Sequence, residues 1–278
     1  EETWGDLFVV FATASGNVRR NRLSDFTNVM VNGKIAMKLG EGDKLVRVRT
    51  CTEDDDVLLS TRAGKCIRFS VTDVRVFVGR NSVGVRGVKL AKGDVVINMS
   101  TLHHVKVEAE TRDAYLQAVS ASRRLVSGDY SERPEDKAHD EKLAARLEEP
   151  QYAAMAEDEE FLLTISNDGL GKRTSSYEYR ISGRGGQGVA SMDLKRGKKM
   201  ASVVASFPVD DGDELVMVSD GGQLIRIPVG GISIVGRSTR GVTVFKTAKG
   251  EQVVSVTPIS EDEDEGDEGE ENSESEEG

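Results

Sequence analysis

Residues 183–188 read GRGGQG, which places Gly183, Gly185 and Gly188 at the G-x-G-x-x-G spacing of a dinucleotide-binding turn. That chemistry needs a strand leading into the glycines and a helix starting on them, because the helix N-terminus holds the pyrophosphate. YEYRI (177–181) suits the strand, but VASMDLKRGKKMASVVASFPV (189–209) has β-branched clusters and no helical apolar stripe. Other reactive residue types are sparse. His103, His104 and His139 are the three histidines, and adjacent residues 103 and 104 share no helix or strand face, which argues against a metal site. The acid runs Asp54-Asp55-Asp56 and Asp210-Asp211 precede strand-like sequence and are expected in solvated turns. Cys51 and Cys66 lack metal spacing and read as buried thiols of a reducing cytosol. No catalytic constellation emerges.

A repeat accounts for the glycines. Four segments share the pattern apolar strand, glycine turn, then a strand carrying a base: FVVFATASGNVRR (8–20), VLLSTRAGKCIR (57–68), FLLTISNDGLGKR (161–173) and LVMVSDGGQLIR (215–226). Their turn glycines are Gly16, Gly64, Gly169 and Gly222, and four residues after each comes Arg20, Arg68, Arg173 or Arg226. A second glycine pair, nine residues apart, follows in every unit, opened by Gly33, Gly84, Gly188 and Gly241. Gly188 is therefore one instance of a fourfold turn, and the nucleotide reading fails. Three units also carry Gly-Arg-x-x-x-Gly, at 79–84, 183–188 and 236–241, which adds Arg80, Arg184 and Arg237. Units of this length with several short strands must stack to bury a sheet face, as propeller blades do. The expected fold is all-β, with at least four four-stranded blades: two in 1–101 and two in 161–260.

The remaining segments differ in kind. The stretch 102–160 is acidic, with helical patterns over 114–126 and 140–155 and a break at 131–136; partial disorder is the competing expectation there. The tail 261–278 carries twelve acids and no base and is expected to be disordered. The net charge of −11, less −12 for the tail and −7 for 102–160, leaves the blade body at +8. A basic body in an acidic chain suits a polyanionic partner, with which the acidic tail would compete for the basic rim; solvated surface bases account for the same number. No apolar run reaches the roughly 18–20 residues that span a bilayer, so no membrane partner is expected. The first residue is Glu rather than Met, which reads as a piece of a longer polypeptide.

In GKCIRF and GQLIRI the arginine is flanked by apolar residues, so strict alternation turns Arg68 and Arg226 to the wetter face. The shared register would line Arg20, Arg68, Arg173 and Arg226 along one rim, with Arg19 and Lys172 beside them and Arg80, Arg184 and Arg237 in the adjoining loops. Such a surface offers DNA phosphates many separated contacts without base reading. The competing reading pairs these arginines with acids of neighbouring blades.

The stretches ATASGNVRRNRLSDF, STRAGKCIRFSVTDVR, NDGLGKRTSSYEY and ISIVGRSTRGVTVFKTAKGEQVVSV resemble successive blades of the C-terminal domain of the DNA gyrase A subunit, over about 1–101 and 161–258. The resemblance implies a β-pinwheel, a propeller-like ring that wraps duplex DNA around its rim and so supports ATP-dependent negative supercoiling by a type II topoisomerase. It implies as partners the gyrase B subunit, in an A2B2 assembly, together with the rest of the gyrase A subunit. ATP and Mg2+ would be held by other parts of the holoenzyme, with no cofactor in this chain. It also implies a cytoplasmic location on the bacterial chromosome. The family's box, Gln followed by two bases and Gly-Gly-basic-Gly, belongs to the first blade of six. Only GRGGQG approaches it here, without the Gln or the double base, so the chain is expected to start near the third blade, without the catalytic tyrosine; Tyr177 and Tyr179 are no substitute. The corresponding domain of topoisomerase IV and a protein-binding propeller are the alternatives. A propeller enzyme would need convergent catalytic groups that the sequence lacks.

Overall fold

The computed structural model describes residues 2–27, 31–33, 35–127 and 149–259. The expected disorder of the tail, the break at 131–136 and the first part of the second helix lie outside them.

Each unit begins as a hairpin of two strands: β1 (Phe8–Thr13) with β2 (Asn17–Arg22), β4 (Asp55–Thr61) with β5 (Lys65–Ser70), β8 (Phe161–Ser166) with β9 (Leu170–Ser175), and β14 (Glu214–Ser219) with β15 (Leu224–Pro228). The amides of Gly16, Gly64, Gly169 and Gly222 each donate to the carbonyl three residues back, and each glycine takes a positive φ, which closes these turns. A third strand pairs on the other side of the first: β3 (Leu45–Cys51), β7 (Val96–His103), β13 (Val203–Val209) and β17 (Val253–Ile259). These four pack successively against one another at the centre, leaving β2, β5, β9 and β15 at the outside.

The fourth strand of a sheet comes from the next unit. β6 (Val85–Arg86) joins β2, β10 (Val189–Ala190) joins β5, and β16 (Val242–Thr243) joins β9. Three sheets are thus four-stranded and the fourth, β15-β14-β17, has three strands among the described residues. Between β10 and β13 lies a small hairpin of β11 (Lys195–Arg196) and β12 (Lys199–Met200).

Burial follows from this exchange. FVVFAT of β1 is buried at every position and β4 nearly so, because blades cover both faces, and such strands need continuous apolar runs rather than alternation. One apolar cluster joins the first two blades through Phe8, Val10, Val57, Leu59, Phe69 and Met99. Another joins the last two through Leu163, Ile165, Phe207, Leu215, Met217 and Phe245. Leu58, Leu102 and Leu162 bridge the middle pair. Cys51 and Cys66 are free and buried, and desolvation raises both thiols to about 12.

The insertion forms helix α1 (Ala109–Ser127) and helix α2 (Glu149–Glu157). Tyr115, Val119 and Met155 pack onto Tyr177 of the third unit. The Tyr177 hydroxyl donates to the Met155 carbonyl, at 3.0 Å, and Tyr115 donates to Glu159, at 2.9 Å. Tyr177 thus anchors the insertion to the blades.

Candidate nucleic-acid interface

The segment after each of the outer strands β5, β9 and β15 leaves its own blade and runs along the outer strand of the blade before. Single parallel bridges mark where it docks: Val76 beside Arg20, Ile181 beside Arg68 and Ile234 beside Arg173. It then turns through the Gly-Arg loop and returns antiparallel as the donated strand. Three of the four predicted rim arginines, Arg20, Arg68 and Arg173, therefore lie under a lid of backbone.

This overturns the expectation that they stand on the wetter face. Arg20, Arg68 and Arg173 are 4, 4 and 5 % exposed, and Arg19 and Lys172 are fully buried. Arg20 Nε donates to the Val74 carbonyl at 2.8 Å, and its guanidinium stacks on Phe8 and reaches Glu53 at 3.5 Å. Arg68 Nε donates to Asp56 at 2.8 Å, while its terminal nitrogens donate to the Ser176 and His103 carbonyls at 2.9 and 2.8 Å. Asp56 is fully buried, not in a solvated turn as expected, and its other oxygen meets His104 Nδ1 at 2.7 Å. Arg173 donates to the Ile232 and Gly230 carbonyls and pairs with Asp211. Arg20, Arg68 and Arg173 each give donors to backbone carbonyls and to an acid, so their guanidiniums are turned inward rather than to solvent.

Arg226 is the exception that gives the reason. Among the described residues no segment covers its strand, so β15 keeps the alternation lost in β2, β5 and β9, and the Arg226 side chain is 51 % exposed beside Glu214. Of the four repeat arginines, Arg226 alone takes the expected outward-facing position among the described residues.

Lys172 is held by the loop of the next unit. Its ammonium donates to the Gly236, Arg237 and Thr239 carbonyls at 2.5–3.1 Å. Burial lowers it to about 8, against an attraction to Glu178 that acts the other way. A lysine depressed in the folded state binds fewer protons there than when unfolded, so stability rises with pH between the folded and unfolded values. The stability difference between the wild-type chain and Lys172→Met is expected to grow in favour of the wild type from about pH 8 towards pH 10.5. Chemical denaturation across that range checks it; a flat difference would mean the carbonyls hold Lys172 fully charged throughout.

The loop arginines tie each loop to the one before. Arg184 donates to the Asp73 and Arg86 carbonyls at 2.9 and 3.0 Å, and Arg237 donates to the Ala190 carbonyl at 2.7 Å. Arg80 is half-buried without such a bond. Gly84, Gly188 and Gly241 sit where the donated strand crosses, with φ of +84, +69 and +81°. A Cβ there would lie 2.2, 2.1 and 2.4 Å from the carbonyl oxygens of Val18, Cys66 and Gly171. Gly33, the first-unit counterpart, has φ +77° and open space around it. Gly188 of GRGGQG therefore serves a backbone crossing, and a strand rather than a helix follows it.

Sequence reasoning missed the bases that do face outward. Arg75 and Arg180 occupy one register, each next to the residue bridged to a buried arginine, and both are exposed. Arg86, Lys89 and Arg240 are exposed on or beside the donated strands. The signal was alternation in VRVF and YRIS, applied to the wrong strand. Among the described residues no group of three or more His, Cys, Asp and Glu could hold a metal, and no helix is long and apolar enough to cross a membrane.

Four sheets around a common centre, linked by strand exchange and edged with arginine-bearing loops, define a propeller of the hairpin-exchanging, pinwheel type. The family model described as the DNA gyrase C-terminal domain, beta-propeller, matches 8–52, 55–103, 160–210 and 213–260, and the chain belongs to that family. The DNA gyrase A subunit of Granulibacter bethesdensis is 49 % identical over 95 % of the chain and 29 % of its own length. Its Escherichia coli counterpart is 31 % identical over 91 % of the chain and 22 % of its own length. The chain thus spans less than a third of these relatives. A solved gyrase A C-terminal domain superposes with a TM-score of 0.62 at 24 % identity, covering 92 % of this chain and 66 % of that one. The C-terminal domain of topoisomerase IV does so with 0.66 at 16 % identity, covering 92 and 62 %. Both show the fold.

Proposed function

We propose that the blade body binds duplex DNA along its outer edge without reading sequence and wraps it, as the DNA-handling part of a gyrase A subunit. One observation carries this beyond family membership: the segments that cover the outer strands expose bases at a repeated register, Arg75 and Arg180, with Arg86, Lys89 and Arg240 beside them. Separated cations on a curved edge suit a phosphate backbone and supply no base code. In this reading the wrap presents a crossing of chosen hand to a strand-passage gate that lies elsewhere in the same polypeptide. Hydrolysis of ATP belongs to the B subunit, in an A2B2 assembly on the bacterial chromosome, and this chain contributes no catalytic group. The 49 % identity to a gyrase subunit favours gyrase over topoisomerase IV.

Each neutralised phosphate contributes about −0.9 to the slope of log affinity against log salt. Replacing Arg86, Lys89, Arg180 and Arg240 together by glutamine is expected to weaken binding to all duplexes alike and to flatten that slope by up to about 3–4 units. Fluorescence anisotropy across a salt series measures both. An unchanged slope would remove DNA from this edge. Wrapping is read by sealing nicked circles in the presence of the chain, where a shift in linking number is expected and none would reduce the activity to binding.

A further inference from the structure

The loop at 79–84 differs from its two counterparts in how its cations are answered. In the later loops the arginine gives a terminal N–H to the strand donated one blade earlier, Arg184 to Arg86 and Arg237 to Ala190. Arg80 Nη1 is buried with no hydrogen-bond partner. Arg19 is fully buried; its Nε and Nη1 are taken by Asn21 Oδ1 at 2.8 Å and the Ser82 carbonyl at 2.7 Å, and its Nη2 has no partner. Lys172 holds the same position two blades on and finds loop carbonyls for its ammonium. The unanswered donor therefore belongs to this arginine, not to the position.

Arg75 is the third cation. Its guanidinium carbon lies 4.1 Å from the centre of the Phe77 ring, and that of Arg19 lies 4.9 Å from the same ring. Burial first, then the charges of Arg75 and Arg80, hold the Arg19 guanidinium below its ordinary pKa. The acid nearest this group in the bonding pattern is Asp25, which accepts from Asn21 Nδ2 at 3.4 Å. None of the three guanidiniums takes part in an ion pair among the described residues. Three cations beside two buried, unused N–H donors lack a partner with negative charge and several oxygens. The planar forked donors of guanidinium match phosphate oxygens.

We infer that Arg19, Arg75 and Arg80 form a binding site for a phosphate oxyanion, with Arg19 Nη2 and Arg80 Nη1 as the inner donors and the exposed Arg75 closing it from solvent. This rests on the DNA reading above if the phosphate is a diester of the duplex; free phosphate is the other source. The test uses the full chain in two arms. In the first, inorganic phosphate is titrated while the Arg19 Nε–Hε resonance is followed by NMR. In the second, a duplex of about 30 base pairs, about 100 Å long and so able to pass more than one blade, is bound across a salt series. The variant is Arg75→Gln with Arg80→Gln, and the charge-matched reference is Lys92→Gln with Lys249→Gln, two exposed turn lysines.

Phosphate is expected to shift the Arg19 resonance in the wild type and not in the arginine variant. Duplex affinity is expected to fall roughly tenfold in the arginine variant, with a slope about one unit flatter, and by less in the reference. The melting temperature of the arginine variant should hold or rise, because like charges have been removed; a clear fall would mark Arg75 or Arg80 as a structural tie and overturn the site. A phosphate response without duplex binding would keep the site, assign it free phosphate and defeat the DNA reading. Duplex binding that is the same in variant and reference, with no phosphate response, would overturn the site and leave the DNA reading standing.

Discussion

Arg68→Ala is expected to cost on the order of 3–5 kcal/mol of unfolding free energy, and Arg226→Ala about 1 kcal/mol or less. The two arginines hold equivalent places in the repeat, so the difference comes from what covers them. Removing the Arg68 side chain leaves Asp56 fully buried with His104 as its remaining partner, and strips the Ser176 and His103 carbonyls of their donor. An unanswered buried charge is what makes such a deletion expensive. Arg226 pairs with Glu214 where both side chains meet water, 51 and 34 % exposed, and solvent screens the loss. Urea denaturation of both variants measures this. Asp56→Asn in the Arg68→Ala background should recover part of the loss, because the orphaned charge is then gone. Equal small effects, together with a loss of DNA affinity for Arg68→Ala, would restore Arg68 to the rim.

The same pair of residues shows how far the sequence could be read. The repeat, the glycine turns and the all-β fold were legible because they are local. FVVFAT and FLLTIS announce strands by composition, and Gly16 or Gly169 announces a turn by the backbone it permits. Orientation was not legible, because alternation assumes one dry and one wet face. In β5 the second face is covered by residues 176–190, more than a hundred positions further on, and nothing near CIRF reports this. The rule holds in LIRIP, where none of the described residues is laid over the strand. The exposed bases Arg75 and Arg180 belong to the covering segments, so finding them required knowing which chain lies outermost. The buried Asp56 fails for a related reason: in a row of three acids, only the tertiary position of Arg68 distinguishes the third.

Gly188→Ala is expected to cost about 3 kcal/mol or more, and Gly222→Ala about 1–2 kcal/mol. Both glycines have positive φ, +69 and +84°, so an L side chain pays a similar backbone penalty at either place. The surroundings differ. A Cβ on Gly222 meets nothing within 4 Å, whereas one on Gly188 would lie 2.1 Å from the Cys66 carbonyl oxygen and 2.7 Å from its carbon. Neither is the end of a flexible side chain, so relief requires the donated strand β10 to lift from β5, which breaks the pairing of Val189 with Cys66. The difference between the two variants therefore isolates the crossing from the turn. It should be larger still for Gly188→Val, whose branched side chain tolerates positive φ less well. Because β10 joins the third unit to the second, the lost stability should appear as one cooperative shift of the denaturation midpoint. Neither variant nor wild type should bind NAD or ATP, since Gly188 of GRGGQG faces the Cys66 backbone and leads into a strand. Equal midpoints for the two alanine variants would show that β10 yields freely and that the close crossing does not hold the blades together.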